Sequence, residues 1–292
     1  MQIRNVGVAS PGDMGQAIAA RLNECGFKVL TALDGRSART AALAREAGLA
    51  DCGSLEKLVG SCDLLLSVLN PGAALAKARE VAAAMRATGR GIAFADCNAV
   101  SPQTVREMEA LIRGAGGVFI DAGIVGAPPR GAAKTRIYVS GPDAHLFTQF
   151  NHASLQVRVL SERAGDASAL KMCYGAVTKG AVALGVELMI AARRLGVEQA
   201  LEAEFKESIG GVYEWIMSRV PPMPPKGYRW VPEMLEIGKT FEGAGMTPRM
   251  MQGAAELYEM VAAAPIGRES PEEARRHKRD AMEVIRALAD GK

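Results

Sequence analysis

The chain has 292 residues, 49% of them apolar but only 5% aromatic, and a formal charge of +3. That length accommodates two domains, and an apolar fraction built from alanine, valine and leucine favours α/β and all-α architecture over a β-sandwich. So small a charge argues against a nucleic-acid or anionic-membrane partner.

The densest basic run, ARRHKRD, follows PEE and reads as a solvated helix face. Five cysteines, Cys25, Cys52, Cys62, Cys97 and Cys173, form no C-x-x-C pair. Reduced thiols of a cytoplasmic protein are expected, with neither a disulfide framework nor a metal site. We read neither a leader segment nor a run of eighteen apolar residues, so a soluble chain is expected.

In chain order, NVGVA precedes a helix from about Met14 to Cys25, and FKVLTAL precedes ARTAALAREAG. DLLLSVL, GIAFADC and GVFIDAGIV follow, each set off by a helical stretch or a turn. Apolar runs without period-2 alternation fit strands buried on both faces, and the helices between them imply parallel crossovers. The first half is therefore expected to be an α/β Rossmann-type doubly wound sheet, with TRIYVSG and QVRVLS at its edge.

From Gly165 onward no convincing strand is found. Residues 166–196 predict one helix of about thirty residues, joining the α/β domain (1–164) to an all-helical domain (165–292). Further helices are expected near 198–219, 230–243, 247–263 and 271–289. The prolines of PPMPPKGYRW (221–230) predict a loop.

The turn SPGDMG, after the first strand, carries the chemistry of the first half. Gly12 and Gly15 have the spacing of the second and third glycines of a dinucleotide fingerprint, and Ser10 stands in the first position. Gly12 would let the backbone approach a pyrophosphate; Gly15 would let the helix pack close to the strand. Ser10, Pro11, Gly12, Asp13, Met14 and Gly15 thus form the expected cofactor turn, with free helix N–H groups facing the phosphates. Past the second strand, Asp34 suits the ribose hydroxyls of NAD, whereas Arg36 with Ser37 suits the 2′-phosphate of NADP. NADP is preferred over NAD. Ser37 also reads as the N-cap of the next helix.

Four stretches in the same order resemble the β-hydroxyacid dehydrogenase superfamily, which includes 6-phosphogluconate and 3-hydroxyisobutyrate dehydrogenases. SPGDMG matches the family's G-x-G-x-M-G, and DCNAVSP (96–102) its D-x-S-T-x-x-P substrate loop. DAGIVGA (121–127) matches D-A-P-V-S-G-G, and GDASALK (165–171) matches G-x-G-x-x-x-K. Asn98 and Ala99 replace the substrate loop's serine and threonine, Val125 and Ala127 replace a serine and a glycine, and Tyr174 and Gly175 stand where an asparagine is usual. These departures place the chain in a divergent branch.

The resemblance implies that Lys171 is the general acid/base, taking the substrate hydroxyl proton as hydride leaves for the nicotinamide. Partial burial would lower its pKa and let it exchange protons near neutrality. Substrate contacts are expected from Asn98, Gly123, Val125, Tyr174 and Lys179, and further cofactor contacts from Leu69, Asn70, Pro71 and Asn98. For Asn98 an Asx turn, for Tyr174 a core position, and for Lys179 a solvent-facing position stand beside these roles. Arg229 and Lys239 are weaker candidates for an anionic substrate group.

A small-molecule substrate and a homodimer through the helical domain are implied. The chemistry expected is oxidation of a small hydroxy acid or related alcohol. Imine reduction on the same scaffold and a non-catalytic cofactor-binding module remain alternatives.

Overall fold

A computed structural model describes residues 1–291. It divides into two units, Met1–Met172 and Cys173–Lys292. The division falls inside one helix rather than at Gly165.

Unit 1 is an eight-stranded sheet. Its strands are β1 (Asn5–Val8), β2 (Lys28–Thr31), β3 (Ala50–Asp51), β4 (Leu64–Ser67), β5 (Ala93–Asp96), β6 (Val118–Val125), β7 (Thr135–Ser140) and β8 (Leu155–Ser161). Its helices are α1 (Asp13–Glu24), α2 (Ala38–Glu46), α3 (Leu55–Ser61), α4 (Ala74–Thr88) and α5 (Pro102–Arg113). The strand order is β3-β2-β1-β4-β5-β6-β7-β8. All pairs are parallel except β6 with β7.

This is the doubly wound order, reversing direction beside β1, and ligands bind at the carboxyl ends of strands near such a reversal. Every residue of β4 and β5 is buried, as expected for strands covered on both faces. One apolar layer includes Ile18, Leu22, Leu64 and Leu66, and the opposite one includes Leu58, Leu65, Val81 and Phe94. The two-residue strand β3 has no apolar run to announce it and was not predicted.

Helix α6 (Asp166–Arg194) starts in unit 1 and runs on into unit 2. Although charged residues interrupt it, its length and composition also meet the requirement for crossing a membrane. Helices of a soluble core can pass the same test.

Unit 2 then carries α7 (Glu198–Ser208), α8 (Gly210–Met217), α9 (Gly227–Gly243), α10 (Arg249–Ala263), α11 (Pro271–His277) and α12 (Ala281–Ala289). Two predicted helices are each divided. Gly210 and Gly211, poor helix formers, follow the break at Ile209 between α7 and α8. Ser270 with Glu273 and Asp280 with Glu283 form separate capping boxes for α11 and α12, and Lys278 between them takes φ +50°. The expected loop at 221–230 ends early, because α9 already begins at Gly227, past the last of the consecutive prolines. Trp230 stands edge-on to Tyr258 at 5.1 Å.

Candidate cofactor turn and active site

β1 ends at Val8, and the chain turns through Ser10 and Pro11 before α1 begins at Asp13. A Cβ on Gly15 would lie 2.6 Å from the Ser10 carbonyl oxygen. Only glycine lets helix and turn approach this closely. A Cβ on Gly12 would meet nothing within 4 Å. Gly12 also leaves α1 without a side-chain cap. An uncapped helix start beside open space suits an anion, because the first-turn N–H groups and the helix dipole point there.

Beyond β1, a cavity of about 240 Å³ is lined by Ala9, Ala32, Asp34, Gly35, Arg36 and Leu55, among others. Arg36 Nη2 donates to the Ala9 carbonyl oxygen at 2.9 Å. Asp34 and Arg36 thus share one cavity wall. Ser37 Oγ accepts from Thr40 N at 3.2 Å, so it caps α2, and a role toward a phosphate is not needed to explain it.

At the ends of β4 and β5 the structure assigns Asn98 a different task from the one expected. It is only 2% exposed. Its Nδ2 donates to Ser67 Oγ at 2.9 Å and to Asp96 Oδ1 at 2.5 Å, while its Oδ1 accepts from Leu69 N. Both amide hydrogens are engaged inside the protein. Asn98 therefore ties the two strand ends together and holds Leu69. Asn70 accepts from Gly72 N at 3.3 Å and caps the short turn that starts at Pro71.

Asp96 and Asp121, not singled out from the sequence, organise this edge. They face each other in register on β5 and β6, both fully buried. Burial, reinforced by the neighbouring Asp121 and opposed by Asn98, pushes Asp96 up to about 7. Burial also raises Asp121. Asp121 Oδ2 accepts from Ser140 Oγ at 2.8 Å, Gly165 N at 2.9 Å and Ser168 N at 3.1 Å. Its Oδ1 accepts from Ser168 Oγ at 2.6 Å. The carboxyl group thus fastens the first turn of α6 to the sheet. The available sequence signal was an acidic residue inside each of two apolar strands, which burial makes costly without partners.

Gly123 adds close contact. A Cβ there would stand 2.7 Å from the Ala167 carbonyl oxygen and 3.1 Å from Lys171 Cβ. Its lack of a side chain is therefore explained by helix–strand packing. The same approach brings Lys171 Nζ to donate to the Ile124 carbonyl oxygen at the end of β6. Val125 is buried in the strand.

Two further candidates lie in unit 2. Tyr174 is 47% exposed, so it is not the core residue that its apolar neighbours suggested. Lys179 Nζ pairs with Glu233 Oε1 at 2.8 Å and lies 5.6 Å from the Trp230 ring centre. Neither solvent nor a substrate carboxylate is required to account for that amine.

Comparison with known proteins fits these features. Residues 5–153 match the NAD binding domain of 6-phosphogluconate dehydrogenase, and residues 192–261 match a domain of unknown function, DUF1932. Conserved protein MTH1747, whose structure is described as similar to 3-hydroxyacid dehydrogenases, is 31% identical with a TM-score of 0.63, over 93% of this chain and 98% of that one. An uncharacterized 28.5 kDa protein of the 7S RNA 5′ region in Methanothermus fervidus is 26% identical, over 80% of this chain and 90% of its own length. The 3-hydroxyisobutyrate dehydrogenase of Mycobacterium tuberculosis shares the fold at 21% identity and TM-score 0.63, over 96% of this chain and 100% of that one. Imine reductases share it too. The chain belongs to the family defined by the NAD binding domain of 6-phosphogluconate dehydrogenase.

Proposed function

We propose that the protein is an oxidoreductase, NADP-preferring, that moves a hydride between the nicotinamide and a small hydroxy acid or related alcohol. The observation that carries this reading is Lys171, held against the end of β6 by its bond to Ile124 and by the contact of α6 with Gly123. Ser10 to Gly15 would hold the pyrophosphate, and Asp34 and Arg36 would meet the adenosine end, where the guanidinium favours a 2′-phosphate. When bound, the nicotinamide supplies the hydride acceptor or donor. An uncharged Lys171 amine keeps a hydrogen for Ile124 and offers its lone pair to the substrate hydroxyl proton; in reverse it returns that proton. Asn98 acts here by holding Leu69 and Ser67.

A second reading is imine reduction on the same scaffold, supported by the fold the chain shares with an imine reductase.

Apolar side chains left exposed in unit 2, including Val177, Leu184, Val212 and Met250, support a homodimer. Nicotinamide fluorescence titrations with NADPH and NADH test the cofactor, and light scattering tests the dimer. Turnover screens of β-hydroxy acids and cyclic imines separate the two chemistries. Binding of neither dinucleotide would remove both.

A further inference from the structure

The loop joining β6 to β7 lies across the start of α1. Arg21 Nε donates to the Pro129 carbonyl oxygen at 3.0 Å. One residue on, Arg130 Nη2 lies 2.8 Å from Asp13 Oδ1, 3.0 Å from the Asp13 carbonyl oxygen and 2.8 Å from Gln16 Oε1. The loop also closes on itself, with Thr135 Oγ1 donating to the Ala127 carbonyl oxygen at 2.6 Å and Arg130 N to that of Pro128 at 2.8 Å.

The Arg130 and Asp13 side chains are 50% and 55% exposed. Exposed ion pairs contribute little to stability, so this one is poorly explained as a fold-holding contact. Its location is more informative. Asp13 is the first residue of α1, immediately after Gly12, the glycine whose missing side chain leaves the turn open. A carboxylate at a helix start is favourable by itself, because it faces the positive end of the dipole. It becomes a liability when the same helix start must accept a second anion, since like charges at close range repel.

We propose that Arg130 is a cofactor-site residue that cancels the charge of Asp13, so that the turn can accept the pyrophosphate of a dinucleotide. This inference rests on the dinucleotide-binding reading above. It assigns the β6–β7 loop a part in that site although the loop lies far from the glycine turn in sequence. Because Arg21 anchors the loop separately, replacing Arg130 removes a charge without releasing the segment.

Fluorescence titration of the full chain with NADH and NADPH provides the test, using wild type, Arg130→Ala and the double variant Asp13→Asn/Arg130→Ala. Arg130→Ala is expected to weaken both dinucleotides by about tenfold, the size typical of a charged hydrogen bond. The double variant is expected to regain most of that loss, because no unopposed carboxylate remains. In 1 M salt the three proteins should converge, since the charges involved are solvent-exposed. Thermal melts should coincide, which separates lost binding from lost folding. An Arg130→Ala protein that binds within twofold of wild type overturns the proposal, as does a double variant no better than the single one. Wild type that binds neither dinucleotide removes the underlying reading, and this inference with it.

Discussion

Asp96 and Asp121 sit side by side on adjacent parallel strands, paired in register and both without solvent exposure. Asp121 is surrounded by donors from α6 and β7, whereas Asp96 has side-chain donors in Asn98 and Ser67. Burial holds both above the ordinary carboxylate range, and for Asp96 the neighbouring Asp121 carboxylate adds to it.

That arrangement predicts a pH dependence of stability. A carboxyl whose folded pKa is raised binds more protons in the folded state than in the unfolded one. Its contribution is fully present below the unfolded value of about 3.9 and is lost as pH rises toward the folded value. For Asp96 the folded value is about 7. Urea unfolding at pH 5, 6 and 7 should show Asp96→Asn gaining on wild type by up to about 1.4 kcal/mol per pH unit. A constant difference between the two proteins across this range would contradict the assignment.

Removing the Asp121 side chain should be costly. Asp121→Ala would orphan donors from Ser140, Gly165 and Ser168 together. At about 1–3 kcal/mol for each buried group left unsatisfied, a loss of at least about 3 kcal/mol is expected in urea unfolding. Ser168→Ala, which removes one donor, should lose about 1–3 kcal/mol.

The two turn glycines should separate in their effects. Gly15→Ala forces a methyl against the Ser10 carbonyl oxygen and should cost about 1–3 kcal/mol. Gly12→Ala places its methyl in open space at an ordinary φ of −72° and should change stability by less than about 0.5 kcal/mol. It should nevertheless weaken dinucleotide binding, because the methyl occupies the volume reserved for phosphate. Calorimetric melts paired with fluorescence titration would reveal the separation; undiminished affinity in Gly12→Ala would count against the cofactor turn.

Lys171→Ala should keep cofactor affinity and lose turnover by about 10²–10⁴-fold, the usual contribution of a positioned acid/base. Steady-state kinetics alongside binding measurements distinguish this from a folding defect. Unchanged turnover would rule out the proton-transfer role.

The Lys179–Glu233 pair carries a stability prediction instead. Lys179→Ala removes the ammonium from a carboxylate that is only 9% exposed and should lower stability. A Lys179→Met/Glu233→Leu double variant, which removes both charges, should recover most of that in urea unfolding.

The alternation of apolar runs with helices made the doubly wound sheet legible, because burial on both faces imposes its pattern locally, within each strand. The glycine turn was legible for the same reason: Gly12 and Gly15 lie within a few residues of the strand and helix they join. The breaks at Ile209 and Lys278 were only partly so, although the capping residues Ser270 and Asp280 stood in view.

What the sequence by itself determined is the alternation of strands and helices, β3 and two helix breaks aside, and where a dinucleotide turn stands within it. Tertiary structure alone decided which polar groups meet: Asp121 with the head of α6, Asn98 with Ser67 and Leu69, Lys179 with Glu233, and Arg130 with Asp13. The physical reason is range. Hydrophobic periodicity is written along a few consecutive residues, whereas the partner of a buried or charged group is set by strand register and loop path across distant parts of the chain.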